Sequence, residues 1–505
     1  MKIFTAEQIR RGDKYTIENE PIASIDLMER AARALSKWII KHFTPNTNFK
    51  IFSGPGNNGG DAWALARLLS ENNYLHIDFY FLNLSGKISA DSEINRDRLI
   101  KQGKVSVSEI KSVEDFPEIN STDVLIDGLF GSGLSRPLSG LPADLVVYIN
   151  KSEKKSLVAI DIPSGLFCED NSGNTPNTII KANYTLSFQF PKFSFFLSDY
   201  AEFVKEYFIL DIGISKKYIS DEPSSNHYLV KTDIAPTVRK REKYSHKGSY
   251  GHGLLVAGSY GMMGAAILAA KSSLRSGIGL LTTHIPRFGY EIIQTAVPES
   301  LISIDESDII FTEVNHLEKY TAIAVGPGIQ KKHNTVKALE QILTNCTSPI
   351  ILDADALNII SEYNLQNLIP KNAILTPHPK EFDRLFGKHN SHYQRVQKQL
   401  EKSSELEINI ILKGAHTSIS LPNRNLYFNT TGNPGMATGG SGDVLTGILL
   451  GLLAQGYSEK ETCILGTYLH GLAADIVLET SNENSLLPTD IINSLGKAFN
   501  KLVYY

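Results

Sequence analysis

The chain has 505 residues, well past the roughly 250–300 at which a single hydrophobic core stops growing, so two or more domains are expected. Its 42% hydrophobic and 21% charged residues are ordinary for a soluble globular protein, and a net charge of −4 gives no electrostatic case for nucleic acid or an acidic membrane. Cys168, Cys346 and Cys463 show no paired spacing, which argues against a disulfide framework or zinc site and fits a reducing compartment.

Met1–Gln8 lacks the apolar stretch of a signal peptide and no apolar run reaches spanning length, so a cytoplasmic protein without a membrane partner is expected. Two amphipathic segments, Ala6–Asn19 and Ile25–Lys41, open the chain. Phe49–Ser53 reads as a strand, followed by a glycine loop and a helix over Ala62–Leu69. His76–Leu82, Asp123–Asp127 and Ser156–Asp161 read as further strands, with connections long enough for crossovers. This pattern predicts a parallel sheet with helices on both faces. It ends around Ile209–Gly213, and the polar Ser215–Ser225 segment with Pro223 reads as the boundary between domains spanning 1–215 and 226–505. A second alternating series then runs through Gly251–Gly258, Gly279–Thr283, Thr321–Val325, Pro349–Asp353, Ala373–Thr376 and Ile408–Lys413. Both halves are therefore expected to be α/β.

The densest chemistry lies in Thr431–Asp443, which runs directly into the apolar stretch Val444–Leu453. Glycines 439, 440 and 442 let the backbone approach a ligand and turn several N–H groups toward one anion-sized hollow. A buried helix starting near Asp443 sets the positive end of its dipole behind that hollow. Phosphoryl transfer to an alcohol needs such donors together with a base for the hydroxyl, and Asp443 is the carboxylate at hand. Read alone, the same residues also suit a glycine turn capping a core helix. Lys413-Gly-Ala-His-Thr417 follows a strand and suits a nucleotide, or a solvated turn. Gly326-Pro-Gly328 also follows a strand, and His378 stands between Pro377 and Pro379. Asp353-Ala-Asp355 suits either a cation or a helix cap.

Together with Gly258–Ala270 and Leu352–Leu357, these motifs resemble the ribokinase-like family and, within it, the dehydratase of hydrated nicotinamide nucleotides, over most of residues 226–505. The resemblance implies removal of water from the S epimer of NADHX or NADPHX at the expense of ADP or ATP with Mg2+, ADP being the expected donor in a fused chain. It implies nucleotide contacts at Lys413, Gly414, Ala415, His416, Thr417 and Gly442, and hydrate contacts at Ala265, Gly328, His378 and Asp443.

In the first half, Gly54-Pro-Gly-Asn-Asn-Gly-Gly-Asp61 joins a strand to a helix with glycine spacing unlike the usual dinucleotide fingerprint. The side-chain carbonyls of Asn57 and Asn58 are hard donors suited to an alkali or alkaline-earth ion. Asn58, Asp127 and Ser164 could converge at one sheet edge, or each could cap the helix after its strand. Arg136 in Gly131-Ser-Gly-Leu-Ser-Arg-Pro137 could grip a phosphate, and Asp161 precedes Ile162-Pro-Ser-Gly165.

With Leu27-Met-Glu29, these residues resemble the NAD(P)HX epimerase family over about residues 1–215, a Rossmann-like three-layer sandwich. The resemblance implies interconversion of R and S hydrates, with potassium at Asn58, Asp127 and Ser164. It implies substrate contacts at Asn57, Asn58, Gly59, Gly60, Asp61, Gly131, Ser132, Gly133, Leu134, Ser135, Arg136, Pro137 and Asp161. Asp161 is the acid/base candidate there, as Asp443 is in the second half. A homo-oligomer is expected, as such families often assemble. The rival readings are a ribokinase-like small-molecule kinase with an accessory nucleotide-binding domain, and a non-catalytic nucleotide-binding scaffold.

Overall fold

The computed structural model describes residues 1–20, 22–83 and 86–503. They form two compact units, Lys2–Ser224 and Ser225–Tyr505, with Met1 grouped with the latter. Among the described residues, no helix is long and apolar enough to cross a membrane.

In the first unit the strands are β1 (Phe49–Ser53), β2 (Ile77–Leu82), β3 (Ser106–Ile110), β4 (Val124–Gly128), β5 (Ser156–Ile160), β6 (Ala182–Phe188) and β7 (Val204–Leu210), all parallel, in the order β3-β2-β1-β4-β5-β6-β7. Side chains alternate between faces, so each strand feeds two apolar layers. Ile51, Ile126 and Val158 pack under helices Ser24–His42 and Asn57–Glu71, with Trp63 stacked on Phe79 at 3.9 Å. Phe52, Leu125 and Leu157 pack on the other face against helix Leu141–Lys151. The chain moves outward from β1 to β3 and returns to β1's other side at β4. Such a reversal opens a crevice beyond the carboxyl ends of β1 and β4.

In the second unit the strands are β8 (Asn226–Tyr228), β9 (His252–Val256), β10 (Leu280–Ile285), β11 (Leu301–Ile304), β12 (Ala322–Val325), β13 (Ile350–Leu352), β14 (Ile374–Leu375), β15 (Asn409–Leu412), β16 (Ser418–Ser420) and β17 (Leu426–Phe428). Their order is β11-β10-β9-β12-β13-β14-β15-β16-β17-β8, and β16 runs antiparallel to both its neighbours. Leu255, Ala324 and Ile351 pack with helices Met263–Arg275 and Ser441–Ala454, while Val256, Ile323 and Leu352 pack with His333–Asn345 on the opposite face. Here too the strand order reverses, between β9 and β12.

Several elements differ from expectation. The helix expected from Ala62 starts at Asn57, so Asn57–Asp61 is its first turn and not a loop. The polar boundary segment holds helix Lys216–Asp221, anchored by Tyr218 against Phe4. Strands β3, β8, β11, β16 and β17 run only three to five residues, and most of β3's residues are exposed, so their apolar signal is weak.

Helix Ser441–Ala454 lies close enough to Met263–Arg275 that a Cβ on Gly447 would fall 1.9 Å from Ser272 Oγ and 2.1 Å from the Ala269 carbonyl. Ser273 Oγ donates to the Gly447 carbonyl across the same seam at 2.9 Å. Gly447→Ala should therefore lower the unfolding free energy by about 1–3 kcal/mol, the cost of overpacking, in urea titration. An unchanged midpoint would mean the two helices are not held at this separation.

Candidate active sites

In the first unit, the residues after β1, β4 and β5 enclose a cavity of about 490 Å³. Its walls include Asn57, Asn58, Asp61, Gly131, Ser132, Gly133, Leu134 and Asp161. Gly54 makes this convergence possible. A Cβ there would lie 1.9 Å from the Leu129 carbonyl, so only glycine lets the two loops meet. Ser135, Arg136 and Pro137 are exposed and form no part of these walls. Gly59 and Gly60 face the interior. Cβ atoms on them would strike the Gly54 carbonyl and the Met28 thioether, at 1.9 and 2.7 Å, so their absence of side chains serves packing.

Asp161 is a non-glycine residue in the left-handed region, with φ of 65°. Its Oδ1 receives Lys192 Nζ at 2.7 Å and the Phe188 amide at 3.2 Å. Lys192 is completely buried, donating also to Ser187 Oγ at 2.9 Å and the Phe190 carbonyl at 3.2 Å. Asp127 and Ser164 are in direct contact. Ser164 Oγ donates to Asp127 Oδ1 at 2.6 Å, the Ser164 amide donates to Oδ2 at 2.8 Å, and the Phe130 amide donates to Ser164 Oγ. Neither residue caps a helix. Burial pushes the Asp127 carboxyl up to about 6 against these hydrogen bonds, and among the described residues no basic side chain neutralises it. Asn58 Nδ2 is buried with no hydrogen-bond partner, while its Oδ1 lies beside Gly131. An uncompensated buried carboxylate beside hydroxyl and amide oxygens fits a hard monovalent cation.

In the second unit, the loops after β9, β12 and β13 are tied together at the reversal point. The Gly258 amide donates to the Pro327 carbonyl at 2.8 Å, Ser259 Oγ to the Gly328 carbonyl at 2.6 Å, and the Gln330 amide to Asp355 Oδ2 at 2.9 Å. A Cβ on Gly328 would lie 3.3 Å from that of Ala265, which brings these two expected hydrate contacts side by side. His378 caps helix Pro379–Phe386, its Nδ1 accepting from the Lys380 and Glu381 amides, and burial lowers its pKa.

Helix Ser441–Ala454 begins after Gly440 in the left-handed conformation. The amides of Gly439, Gly440, Gly442 and Asp443 make no backbone hydrogen bond among the described residues, leaving donors directed outward from the positive helix end. A Cβ on Gly442 would sit 3.4 Å from Lys413 Nζ. Lys413 is ion-paired with Asp353 Oδ1 at 3.0 Å, and Thr446 Oγ1 donates to Asp353 Oδ2 at 2.6 Å. Lys413 thus lies against the glycine hollow, while Gly414 and Ala415 are exposed and Thr417 closes their turn by hydrogen-bonding the Gly414 carbonyl at 3.0 Å. His416 is near the Asn429 carbonyl, and burial lowers its pKa. Burial raises the Asp443 carboxyl to about 7, with Asp353 adding to the shift and Lys413 opposing it.

Sequence reasoning missed Lys192, Asp13 and His470. Lys192 lies between Pro191 and Phe193 with no motif around it, and Asp13 sits on an amphipathic helix where a carboxylate reads as solvent-facing. His470 lies on helix Glu459–Val477, 3.3 Å from Ser441 Oγ, where burial lowers its pKa to about 4.

Two α/β units, each gathering glycine loops and carboxyls at a sheet reversal, have the architecture of a two-site α/β enzyme. Residues 253–497 match a family model described as NAD(P)H-hydrate dehydratase, and residues 24–194 one described as YjeF-related protein N-terminus. The bifunctional NAD(P)H-hydrate repair enzyme of Moorella thermoacetica is 32% identical over 98% of this chain and 96% of its own. That of Dictyoglomus turgidum is 32% identical over 100% and 99%. A crystal structure of a ribokinase-like superfamily protein from Enterococcus faecalis is similar at a TM-score of 0.51, 28% identical, covering 56% of this chain and 99% of that one. The chain belongs to the family of bifunctional NAD(P)H-hydrate repair enzymes.

Lys192→Met would leave the Asp161 carboxylate buried without its partner. The unfolding free energy of the first unit should fall by roughly 3–5 kcal/mol at neutral pH. A loss below about 1 kcal/mol in denaturant titration would mean that the pair is not buried as described.

Proposed function

We propose that the chain returns hydrated nicotinamide nucleotides to use through two activities, one in each half. The domain spanning about residues 1–215 interconverts the R and S forms of NADHX and NADPHX. The domain spanning about 226–505 dehydrates the S form to NADH or NADPH, consuming ADP and giving AMP and phosphate. The observation that carries this reading is Asp443, a carboxyl held near neutrality beside unpaired glycine amides and Lys413.

A carboxylate titrating near 7 takes a hydroxyl proton without being fully neutralised at working pH. In the dehydratase half, Asp443 accepts the proton of the ring hydroxyl as its oxygen forms a bond to the terminal phosphorus of ADP and AMP departs. The Gly439–Gly442 amides and Lys413 meet the charge that develops on the transferring group. The phosphate then leaves with the C–O electrons while the ring nitrogen's lone pair forms the C=N bond. Loss of a proton from the neighbouring carbon regenerates the dihydronicotinamide. Ala265, Gly328 and His378 line the hydrate's position, and Lys413–Thr417 with Gly442 border the nucleotide.

Mg2+ would enter with the nucleotide and shield its phosphates. Asp353 is committed to Lys413 and Thr446, which leaves Asp355, whose Oδ2 accepts the Gln330 amide, with its second oxygen for such an ion. In the epimerase half, Asn58, Asp127 and Ser164 would hold potassium, whose charge offsets the buried Asp127 carboxylate and steadies the loops around it. Asp161 is the acid/base there, oriented by Lys192.

The reading is tested by incubating the purified chain with mixed hydrate epimers, ADP or ATP, Mg2+ and potassium. Recovery of dihydronicotinamide absorbance from both epimers is expected; accumulation of a stable phosphorylated product would instead make the second half a kinase. Asp443→Asn should cut turnover of the S hydrate by at least about a hundredfold. Because the base acts only when ionised, wild-type kcat/KM should rise with pH through about 7 and fall about tenfold per pH unit below it. Turnover retained in the variant, or a flat profile, would remove Asp443 from the mechanism.

A further inference from the structure

The first-unit cavity holds two carboxyls besides Asp161. Asp61 comes from helix Asn57–Glu71 and Asp13 from helix Ala6–Asn19, and both wall the cavity. Asp161 is paired with Lys192, whereas neither Asp13 nor Asp61 forms an ion pair among the described residues. The three have different access to solvent. Asp61 and Asp161 are buried, whereas Asp13 is only partly covered and can exchange its proton with water. The buried, unpartnered Asn58 Nδ2 in the same wall points to a ligand that supplies an acceptor. A hydrate bound there would meet a lysine-paired carboxyl on one wall and an unpaired carboxyl on another.

Inverting a carbon that bears a hydroxyl and a ring nitrogen needs a proton given and a proton taken in the same turnover. We propose that Asp13 is the second proton-transfer group of this site, working with Asp161 from a separate wall of the cavity. The proposal rests on the epimerase reading above. In the R-to-S direction Asp13 gives its proton to the hydroxyl, the C–O bond breaks, and water leaves as the nitrogen lone pair forms a C=N bond. A second water adds to the opposite face of that carbon, forming the new C–O bond, and its proton passes to Asp161. Substrate and product have the same composition. The one proton moved from Asp13 to Asp161 is restored through solvent on Asp13's open side.

The charges facing Asp13 agree with this role. Burial and the Asp161 carboxylate push its carboxyl up to about 7, and Lys192 pulls the other way. Asp61 on helix Asn57–Glu71, Arg10 one turn away on Asp13's own helix, and Tyr218, packed on Gly12, are the other titratable groups around it. An acid must be protonated to act, so the rate should be full below about pH 7 and decline above it.

The test uses the full chain with the isolated R hydrate and potassium, without any nucleotide, so that only epimerisation proceeds. R and S forms are separated by chromatography and corrected for the uncatalysed rate. Asp13→Asn should slow conversion by at least about a hundredfold and abolish the decline above about pH 7, while Asp13→Glu should retain conversion with that decline displaced. Wild-type conversion in Asp13→Asn, with Asp161→Ala inactive, would overturn the role of Asp13 and leave the epimerase reading standing. A slow Asp13→Asn enzyme alongside a wild-type profile with no decline above about pH 7 would also overturn it, because the loss would then be structural. Failure of the wild-type chain to convert the R hydrate would overturn the epimerase reading itself.

Discussion

Each half of this chain depends on the reversal of strand order in a parallel sheet. At that point two successive connections leave on opposite faces, and the carboxyl ends of neighbouring strands are left uncovered. In the first unit the opening lies between β1 and β4, in the second between β9 and β12. Main-chain proximity there is extreme, with Gly54 against Leu129 in one case and Gly326 against the Asp353 carbonyl in the other. Glycine is required because the loops, not their side chains, must fill the space. What the loops then present is amide donors and carboxylates in surroundings of low polarity.

Low polarity makes isolated charge costly, and the two halves meet that cost in the same way. A lysine is drawn beside one carboxylate, Lys192 to Asp161 and Lys413 to Asp353, while Asp13 and Asp443 form no ion pair among the described residues. With no counter-charge of their own, Asp13 and Asp443 are pushed toward neutrality by burial and by the neighbouring anion. A group ionised half the time at physiological pH is what proton transfer demands. Burial is the larger cause, and each ion pair adds two opposing contributions, its carboxylate raising and its lysine lowering the neighbouring carboxyl.

Much of this was readable from sequence because it is local. Buried strands such as Ser156–Ile160 are continuous apolar runs, and the glycine-rich turns after them stand out against any background. Proximity in space was less accessible. That Gly328 lies beside Ala265, or Gly442 beside Lys413, follows from strand order, which no local pattern encodes. Lys192 and Asp13 look unremarkable in sequence, since a lysine among aromatic residues and a carboxylate on an amphipathic helix normally face water. Short edge strands escaped for a different reason. β3 reads Ser-Val-Ser-Glu-Ile with four of its five residues exposed, so no apolar alternation marks it. The first turn of helix Asn57–Glu71 was hidden by its own glycines, residues that ordinarily argue for a loop.

The claim underlying both halves is that the sheet edge, and not the residue type, decides where a carboxyl titrates. It is tested most directly by following the carbon-13 carboxyl resonance of Asp443 with pH in the nucleotide-free protein, assigned by its loss in Asp443→Asn. A midpoint about 7 is predicted. A midpoint about 4, the ordinary value for an exposed aspartate, would contradict it.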